Sequence, residues 1–224
     1  MKPSDKISDA RLTSADIPRD YGFYDPSNYD GRFGSMITVA DALAHSRNTS
    51  SVRIGMLAGI DPVADSIQRL GIHPDPPRFP SLFLGAFESS LHDLTTAYTA
   101  FPNGGVVRKP YIIERVEDSR GNVLYRATRK PRIAMSVPAA KTTSAILRDV
   151  LNYGTAAAAR HLGVPAGAAG KTGTTNDYCD AWFVGFNRTV TCGVWVGFDK
   201  PQMIMQGGSG AQLALPIWAD VMKF

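Results

Sequence analysis

The sequence predicts an α+β fold in which an antiparallel sheet is packed with helices, and three observations carry that reading. Helical patterns crowd the part of the chain before residue 160. Three strand-like runs then follow one another with short connections, and a last helical run closes the chain. Consecutive strands with short links form antiparallel meanders, and helices segregated from them in sequence pack on a face of that sheet. At 224 residues, with 44% hydrophobic and 20% charged residues, the chain has the composition of a globular protein with a real core.

Residues 1–35 are rich in Asp, Pro, Gly and Tyr without a sustained period and read as a loop-rich lead-in. Thr38 then caps a helix over Val39 to Ala44, which breaks at Ser46-Arg47-Asn48-Thr49. A second helix runs through Val52, Ile54, Met56 and Leu57 to Gly59. A third starts with Asp61 as cap and Pro62 in the first turn and is closed after Leu70 by Gly71, the Pro-in, Gly-out asymmetry of helix ends. Leu82 to Gly85 is a short apolar run. Leu91 to Phe101 reads as a helix ended by Asn103-Gly104-Gly105. Tyr111 to Val116 and Asn122 to Tyr125 flank Asp118-Ser119-Arg120-Gly121 as a surface hairpin, and a helix spans about Lys141 to Leu151. The meander comprises residues 168–174, 180–186 and 190–198, after which Pro216 starts a terminal helix from Ile217 to Met222. The organisation is a lead-in over 1–35, a mainly helical part over 36–160 with a hairpin at 111–126, and a meander with a C-terminal helix over 161–224. No repeat or low-complexity tract interrupts it.

The net charge of +4 comes from 24 basic and 20 acidic residues. The one local basic excess, Arg126, Arg129, Lys130 and Arg132, reads as a solvated loop after the hairpin, so no nucleic-acid partner is expected. No window approaches the ~18 apolar residues of a membrane span, and the polar start Met1-Lys2-Pro3-Ser4-Asp5-Lys6 lacks an export-signal pattern. Two readings of that start stay open: a cytosolic address, or an N-terminal part that is missing. Cys179 and Cys192 fall on one hairpin turning at Asn187-Arg188-Thr189. Cys192 faces about residue 184 and Cys179 lies beyond that rung, so both are read as free thiols, because a disulfide needs Cα atoms within ~7 Å. No metal-ligand spacing and no cofactor motif is present.

Chemistry concentrates in Lys171-Thr172-Gly173-Thr174-Thr175. Gly170 and Gly173 bracket Lys171 and Thr172 on a strand, and strand glycines let a ligand's backbone approach closely. A lysine, several hydroxyls and exposed strand amides on one edge suit an extended peptide ending in a carboxylate. The alternative is a solvated edge strand, where the lysine only guards against edge-to-edge pairing. Ser46 and Asn48 sit at a helix break, where both residue types also serve as plain caps.

Taken together, the chain resembles the C-terminal transpeptidase domain of bifunctional (class A) penicillin-binding proteins. The resemblance covers nearly the whole length: Asn28-Tyr29-Asp30-Gly31, Ser46-Arg47-Asn48, Ser81 to Gly85, Asn103-Gly104-Gly105, Gly170 to Phe186, Gly193 to Asp199, and Leu215 to Ala219. It implies a serine β-lactamase/D,D-peptidase-like fold and acyl transfer, in which a serine attacks the D-Ala-D-Ala carbonyl of a peptidoglycan stem peptide. β-Lactams acylate the same serine in the complete domain. By the same resemblance Ser46 belongs to a hydroxyl and lysine proton relay, and Asn48 offers its amide to the substrate backbone. Lys171 supplies positive potential, Thr172 and Thr174 bind the carboxylate by hydroxyl, and the Thr174 amide is an oxyanion donor; Gly173 and Thr175 complete the substrate-binding strand. The resemblance also implies action at the outer, periplasmic face of the cytoplasmic membrane, with an N-terminal anchoring helix absent from these residues.

One departure is serious. The nucleophile of that family lies in Ser-x-x-Lys, and the residues three before each lysine are Pro3, Val106, Ala127, Pro138, Ala168, Gly197 and Asp220. Ser50-Ser51-Val52-Arg53 is the nearest imitation, but arginine stays protonated and cannot act as base. The expectation is an N-terminally incomplete domain whose first strands and nucleophile helix lie upstream of Met1, leaving the missing N-terminal part of the synthase as a partner. Without those strands Val194-Trp195-Val196 presents an open edge, so the chain is expected to associate or dissolve poorly. A non-catalytic module that binds stem peptides or partner proteins is the alternative. A serine β-lactamase or carboxypeptidase shares the motifs, but the context of residues 180–185 and 195–197 points to the synthases.

Overall fold

The computed structural model describes residues 1–128 and 130–223; Arg129, one of the four residues of the basic excess, lies outside the described residues. The lead-in is not all loop. It contains β1 (Lys6–Ser8), which pairs antiparallel with β2 (Met36–Thr38), Ile7 opposite Ile37. Strands of three residues show too little alternation to be legible, and this pair forms across a long insertion.

Three helices follow. Thr38 caps α1 (Val39–Ala44) by accepting from the Asp41 amide, as the sequence predicts. α2 (Asn48–Ala58) and α3 (Ile60–Leu70) meet at Gly59, whose φ of 89° lets one residue end the first helix and start the second. α3 therefore begins at Ile60, and Asp61 lies inside it rather than capping it. Gly71, at φ 77°, closes α3 as expected. A 3-10 turn over Pro80–Leu84 packs Phe83 on Gly55 of α2 so closely that a Cβ there would enter the ring.

α4 (Leu91–Tyr98) ends short of Phe101, and the chain turns so that the Phe101 ring stacks on Phe186 at 5.8 Å. β3 (Val106–Arg108) leads into the hairpin of β4 (Arg115–Glu117) and β5 (Val123–Arg126). β6 (Pro131–Ile133) then returns to pair with β3, a pairing that three-residue strands again hide from the sequence. α5 (Val137–Asn152) starts before the expected Lys141 because Ser136 caps it and Pro138 occupies its first turn. A short helix, α6 (Ala158–His161), was not foreseen.

The meander is β7 (Ala169–Thr174), β8 (Asp180–Phe186) and β9 (Thr191–Gly197), in the order β7-β8-β9. Lys171 stands opposite Val184, and Cys192 opposite Gly185, one rung from its expected place; both cysteines are free. Among the described residues neither outer edge of this sheet is paired with another strand. α7 (Gly210–Met222) begins well before Pro216, at a capping box made by Ser209 and Gln212. Pro216 lies inside the helix, where it removes a backbone donor.

α7 buries Trp218 and Leu215 on one face of the sheet, the Trp218 ring 4.5 Å from that of Phe183. On the opposite face α4 sets Leu91 and Thr95 against Gly193. Gly185 admits the indole: a Cβ there would lie 2.6 Å from Trp218 Cζ2 and 2.7 Å from the Ala169 carbonyl oxygen. Gly185→Ala is therefore expected to cost about 2 kcal/mol by overpacking, read from chemical denaturation midpoints at constant m-value. A variant of wild-type stability would show that α7 yields freely.

Candidate active site

Ser46 sits two residues past the end of α1, at φ 54°, a left-handed conformation that is rare outside glycine. The Arg47 amide donates to the Ala42 carbonyl at 2.8 Å and closes the helix end around it. What holds this turn is the middle residue of the Ser46-Arg47-Asn48 motif. The Arg47 guanidinium donates to Asp9 at 2.9 Å, to Asp30 at 2.9 Å and to the Arg32 carbonyl at 2.6 Å. Asp9 is 2% exposed and accepts further from Thr49 Oγ1 at 2.9 Å, Ser50 Oγ at 3.1 Å and the Gly34 amide at 3.2 Å. Burial by itself raises the Asp9 carboxyl pKa, but the Arg47 guanidinium and the two hydroxyls outweigh it and hold the carboxyl below its ordinary range.

Buried Asn28 completes the cluster, donating to Asp9 at 3.2 Å and to the Arg32 carbonyl at 2.9 Å. The lead-in is thus wrapped around the turn that presents Ser46. Sequence reasoning missed Asp9 and Arg47 because an aspartate in a loop and an arginine between two motif residues carry no pattern. Asn28 was visible only as part of Asn28-Tyr29-Asp30-Gly31, with no role attached.

Lys171 projects from β7 and meets Ser46, 125 residues away in sequence. Its ammonium donates to Ser46 Oγ at 2.5 Å, to the Thr172 carbonyl at 2.9 Å and to Thr172 Oγ1 at 3.4 Å. The residue as a whole is half-buried, but protein surrounds its ammonium, and that desolvation lowers the pKa to about 8. The Thr172 hydroxyl lies 2.7 Å from that of Thr155.

The other predicted site residues are placed unevenly. Asn48 begins α2, and its side-chain amide donates to the Ser27 carbonyl at 2.7 Å, so its donor side faces the lead-in. The Thr174 hydroxyl accepts from the Gly210 amide at 3.0 Å, which anchors the start of α7 and leaves the hydroxyl proton for another acceptor. The Thr175 hydroxyl is committed to Asp180, accepting from its amide at 2.8 Å and donating to its carboxylate at 3.1 Å, so it closes the loop between β7 and β8. Gly173 lies against Trp182, where an added Cβ would be 3.1 Å from Trp182 Cβ. Gly170 has a packing reason too: a Cβ there would lie 2.8 Å from both the Phe183 ring and the Val184 carbonyl. Tyr178, at φ 55°, sets its ring edge-on to that of Tyr29 at 6.5 Å, tying the lead-in to the loop after β7.

The arrangement joins a serine hydroxyl, a lysine ammonium of reduced basicity and a threonine hydroxyl at an unpaired strand edge. Such a group can relay a proton and attract a carboxylate, while the edge amides can pair with an extended peptide. Two open cavities, of about 530 and 500 Å³, lie elsewhere, under the β4–β5 hairpin and beside β1 and Arg53. The Ser46–Lys171 contact, and not cavity size, locates the site. Among the described residues no group of His, Cys, Asp and Glu is arranged to hold a metal ion.

Comparison with known proteins gives concordant results. A family model described as the penicillin binding protein transpeptidase domain matches residues 2–223. Penicillin-binding protein 1A of Neisseria lactamica is 38% identical over 100% of this chain, which spans 29% of that protein. The chain therefore spans less than a third of the length of such curated relatives. The structure of penicillin-binding protein 1A from Haemophilus influenzae superimposes with a TM-score of 0.90 at 25% identity, covering 100% of this chain and 39% of that one. PonA1 from Mycobacterium tuberculosis, solved in complex with penicillin V, gives 0.81 at 25% identity, covering 100% of this chain and 63% of that one.

Proposed function

Because this chain belongs to the penicillin-binding protein transpeptidase family, we propose that it forms the substrate-holding wall of a D,D-transpeptidase cleft that cross-links peptidoglycan stem peptides. The observation that carries this reading is the 2.5 Å contact between Lys171 Nζ and Ser46 Oγ, which joins two distant motifs into one relay. In the proposed reaction a serine hydroxyl attacks the penultimate D-Ala carbonyl and its proton passes through the Ser46 hydroxyl to Lys171 in its neutral amine form, which a pKa of about 8 keeps accessible and which becomes the ammonium. The same pair returns a proton to the departing D-alanine amine, and an acceptor amine then takes the acyl group and releases the serine. Lys171 and the hydroxyls of Thr172 and Thr174 receive the terminal carboxylate. The Thr174 amide faces the developing oxyanion, Gly173 lets the peptide lie close, and Asn48 orients it. Thr175 takes a supporting part in this reading, because its hydroxyl already serves Asp180.

The attacking serine is not among these 224 residues, none of whose lysines is preceded by serine at the required spacing. The proposal therefore assigns it to a Ser-x-x-Lys segment on polypeptide outside them. The proposed setting is the periplasmic face of the cytoplasmic membrane, with β-lactams as ligands of the assembled site. Among the described residues no helix is long and apolar enough to cross a membrane.

A second reading, a non-catalytic module that binds stem peptides reversibly, is favoured by the same missing motif. Fluorescent penicillin tests the shared premise. The chain by itself is expected to show no label that survives boiling in detergent, while an N-acetylated D-Ala-D-Ala peptide perturbs Lys171 and Thr172 in NMR spectra. A boiling-resistant label would overturn the assignment of the nucleophile. No perturbation at β7 would overturn the substrate-holding role. Acylation on adding a Ser-x-x-Lys segment in trans separates the transpeptidase from the binding module. The open edge of β9 predicts association of the isolated chain, and light scattering from a monodisperse, cooperatively melting monomer would contradict it.

A further inference from the structure

Two parts of the site come from elements remote in sequence: Ser46 from the end of α1, Lys171 and Thr172 from β7. One short segment, Tyr153-Gly154-Thr155 after α5, touches both. Tyr153 reaches the first turn of α1 through its hydroxyl, 3.4 Å from Asp41 Oδ1, and its ring lies 5.7 Å from that of His45 at the helix end. Gly154 lies against the Ala44 carbonyl so closely that a Cβ would strike that oxygen and come within 2.8 Å of Val150 Cα. The Thr155 amide donates to the same Ala44 carbonyl at 3.0 Å, two residues before Ser46. Its hydroxyl meets that of Thr172 at 2.7 Å.

We propose that Thr155 is a positioning residue for the carboxylate-receiving site, holding the Ser46 turn at a set distance from β7 and aiming the Thr172 hydroxyl into the cleft. The reason is a count of donors and acceptors. A threonine hydroxyl has one proton and two lone pairs. Thr172 Oγ1 receives the Lys171 ammonium on one side, and the ammonium has only protons to offer. When the Thr155 hydroxyl donates on the other side, both lone pairs are occupied and the Thr172 proton points away from them, toward an incoming carboxylate. The hydroxyl is then oriented before the ligand arrives, and no rotamer has to be fixed on binding. The Thr155 backbone does the second part of the work, since its bond to Ala44 keeps the chain bearing Ser46 from drifting away from Lys171.

This inference rests on the carboxylate-receiving role proposed for Thr172, and the test separates the two. The intact chain is titrated by NMR with N-acetyl-D-Ala-D-Ala and with the same peptide as its C-terminal amide, while the ε-methylene resonance of Lys171 is followed against pH. The wild type is expected to prefer the acid. Thr155→Val, which keeps the shape but removes the hydroxyl, is expected to lose about tenfold of that preference. It also lowers the Lys171 midpoint, because the Thr172 hydroxyl, no longer held by Thr155, is free to turn its lone pair away from the ammonium. Thr155→Ser is expected to restore both. A merely structural threonine would weaken acid and amide alike and leave the Lys171 midpoint in place.

Gly154→Ala keeps both hydroxyls and displaces the bridge from Ala44, so it is expected to lower the Lys171 midpoint as well, by parting the lysine from Ser46. Should the wild type bind neither peptide, the carboxylate role falls, and the Lys171 midpoints still decide whether the bridge positions the site. Midpoints equal to wild type in both Thr155→Val and Gly154→Ala overturn the proposal.

Discussion

Replacing Asp9 with alanine is expected to lower the unfolding free energy by about 3–5 kcal/mol, the usual cost of removing one partner of a buried ion pair. Asp9 is 2% exposed, and the Arg47 side chain that pairs with it at 2.7 Å is 17% exposed. Without the carboxylate, Arg47 keeps Asp30 but loses its buried partner, and the hydroxyls of Thr49 and Ser50 are left with only the Asp9 and Ser8 backbone carbonyls. The consequence reaches the site, because these bonds hold the turn in which Ser46 stands at φ 54°. Asp9→Asn keeps the shape and part of the hydrogen bonding and is expected to cost less. The pH dependence has a definite sign. The folded carboxyl lies below its ordinary 3.8, so the stabilisation is fully present above that value and is lost as pH falls through the folded pKa. Urea denaturation of wild type and variant at neutral and acid pH measures both effects. An Asp9→Ala variant with wild-type stability would show that the lead-in is not held by this cluster.

Lys171→Met is expected to do the opposite to stability and to abolish carboxylate binding. The methionine fills the same channel without a charge to desolvate. Since the Lys171 pKa is about 8 in the fold and 10.5 as a model value, the unfolded chain binds the proton more tightly between these limits. The wild type therefore gains stability as pH rises from 8 to 10.5, and below 8 it carries the full penalty of a buried charge. The variant lacks that term, so at pH 7 it is expected to be more stable by about 1–2 kcal/mol, a figure discounted for the half exposure of the residue. The wild-type-minus-variant difference should shrink as pH rises through this range. Binding of a D-Ala-D-Ala peptide is expected to fall by about a hundredfold or more if the ammonium is, as proposed, the positive charge that meets the carboxylate. Thermal melts against pH and NMR titration read the two effects. A less stable variant that still binds the peptide would place the carboxylate elsewhere.

The contrast between these two residues shows what was legible. Lys171 stands in a five-residue run on a strand whose alternation and glycines are visible, and its relation to Ser46 follows from motif order. Asp9 carries no such mark. Its importance comes from five residues, Asn28, Gly34, Arg47, Thr49 and Ser50, converging on one carboxylate, all of them from segments separated from it by long stretches of chain. The helix starts show the same division. Thr38 and Gly71 acted as their local chemistry predicts, whereas α7 began at Ser209, where a capping box competed successfully with the more conspicuous Pro216. β1, β2, β3 and β6 stayed hidden because three residues cannot display a period.

The sequence by itself determined the α+β class, the meander with its register to within one rung, the free cysteines and the membership of the Lys171 strand and the Ser46 turn in one chemical family. These are consequences of local propensity and of motifs whose residues are neighbours in the chain. Only the tertiary structure decided that Arg47 and Asp9 hold the Ser46 turn, that Thr175 is committed to Asp180, and that Thr155 touches both parts of the site. Each of these depends on hydrogen-bond geometry between distant segments. Such bonds act over about 3 Å and depend on direction, and no periodicity in the sequence records where a donor will point.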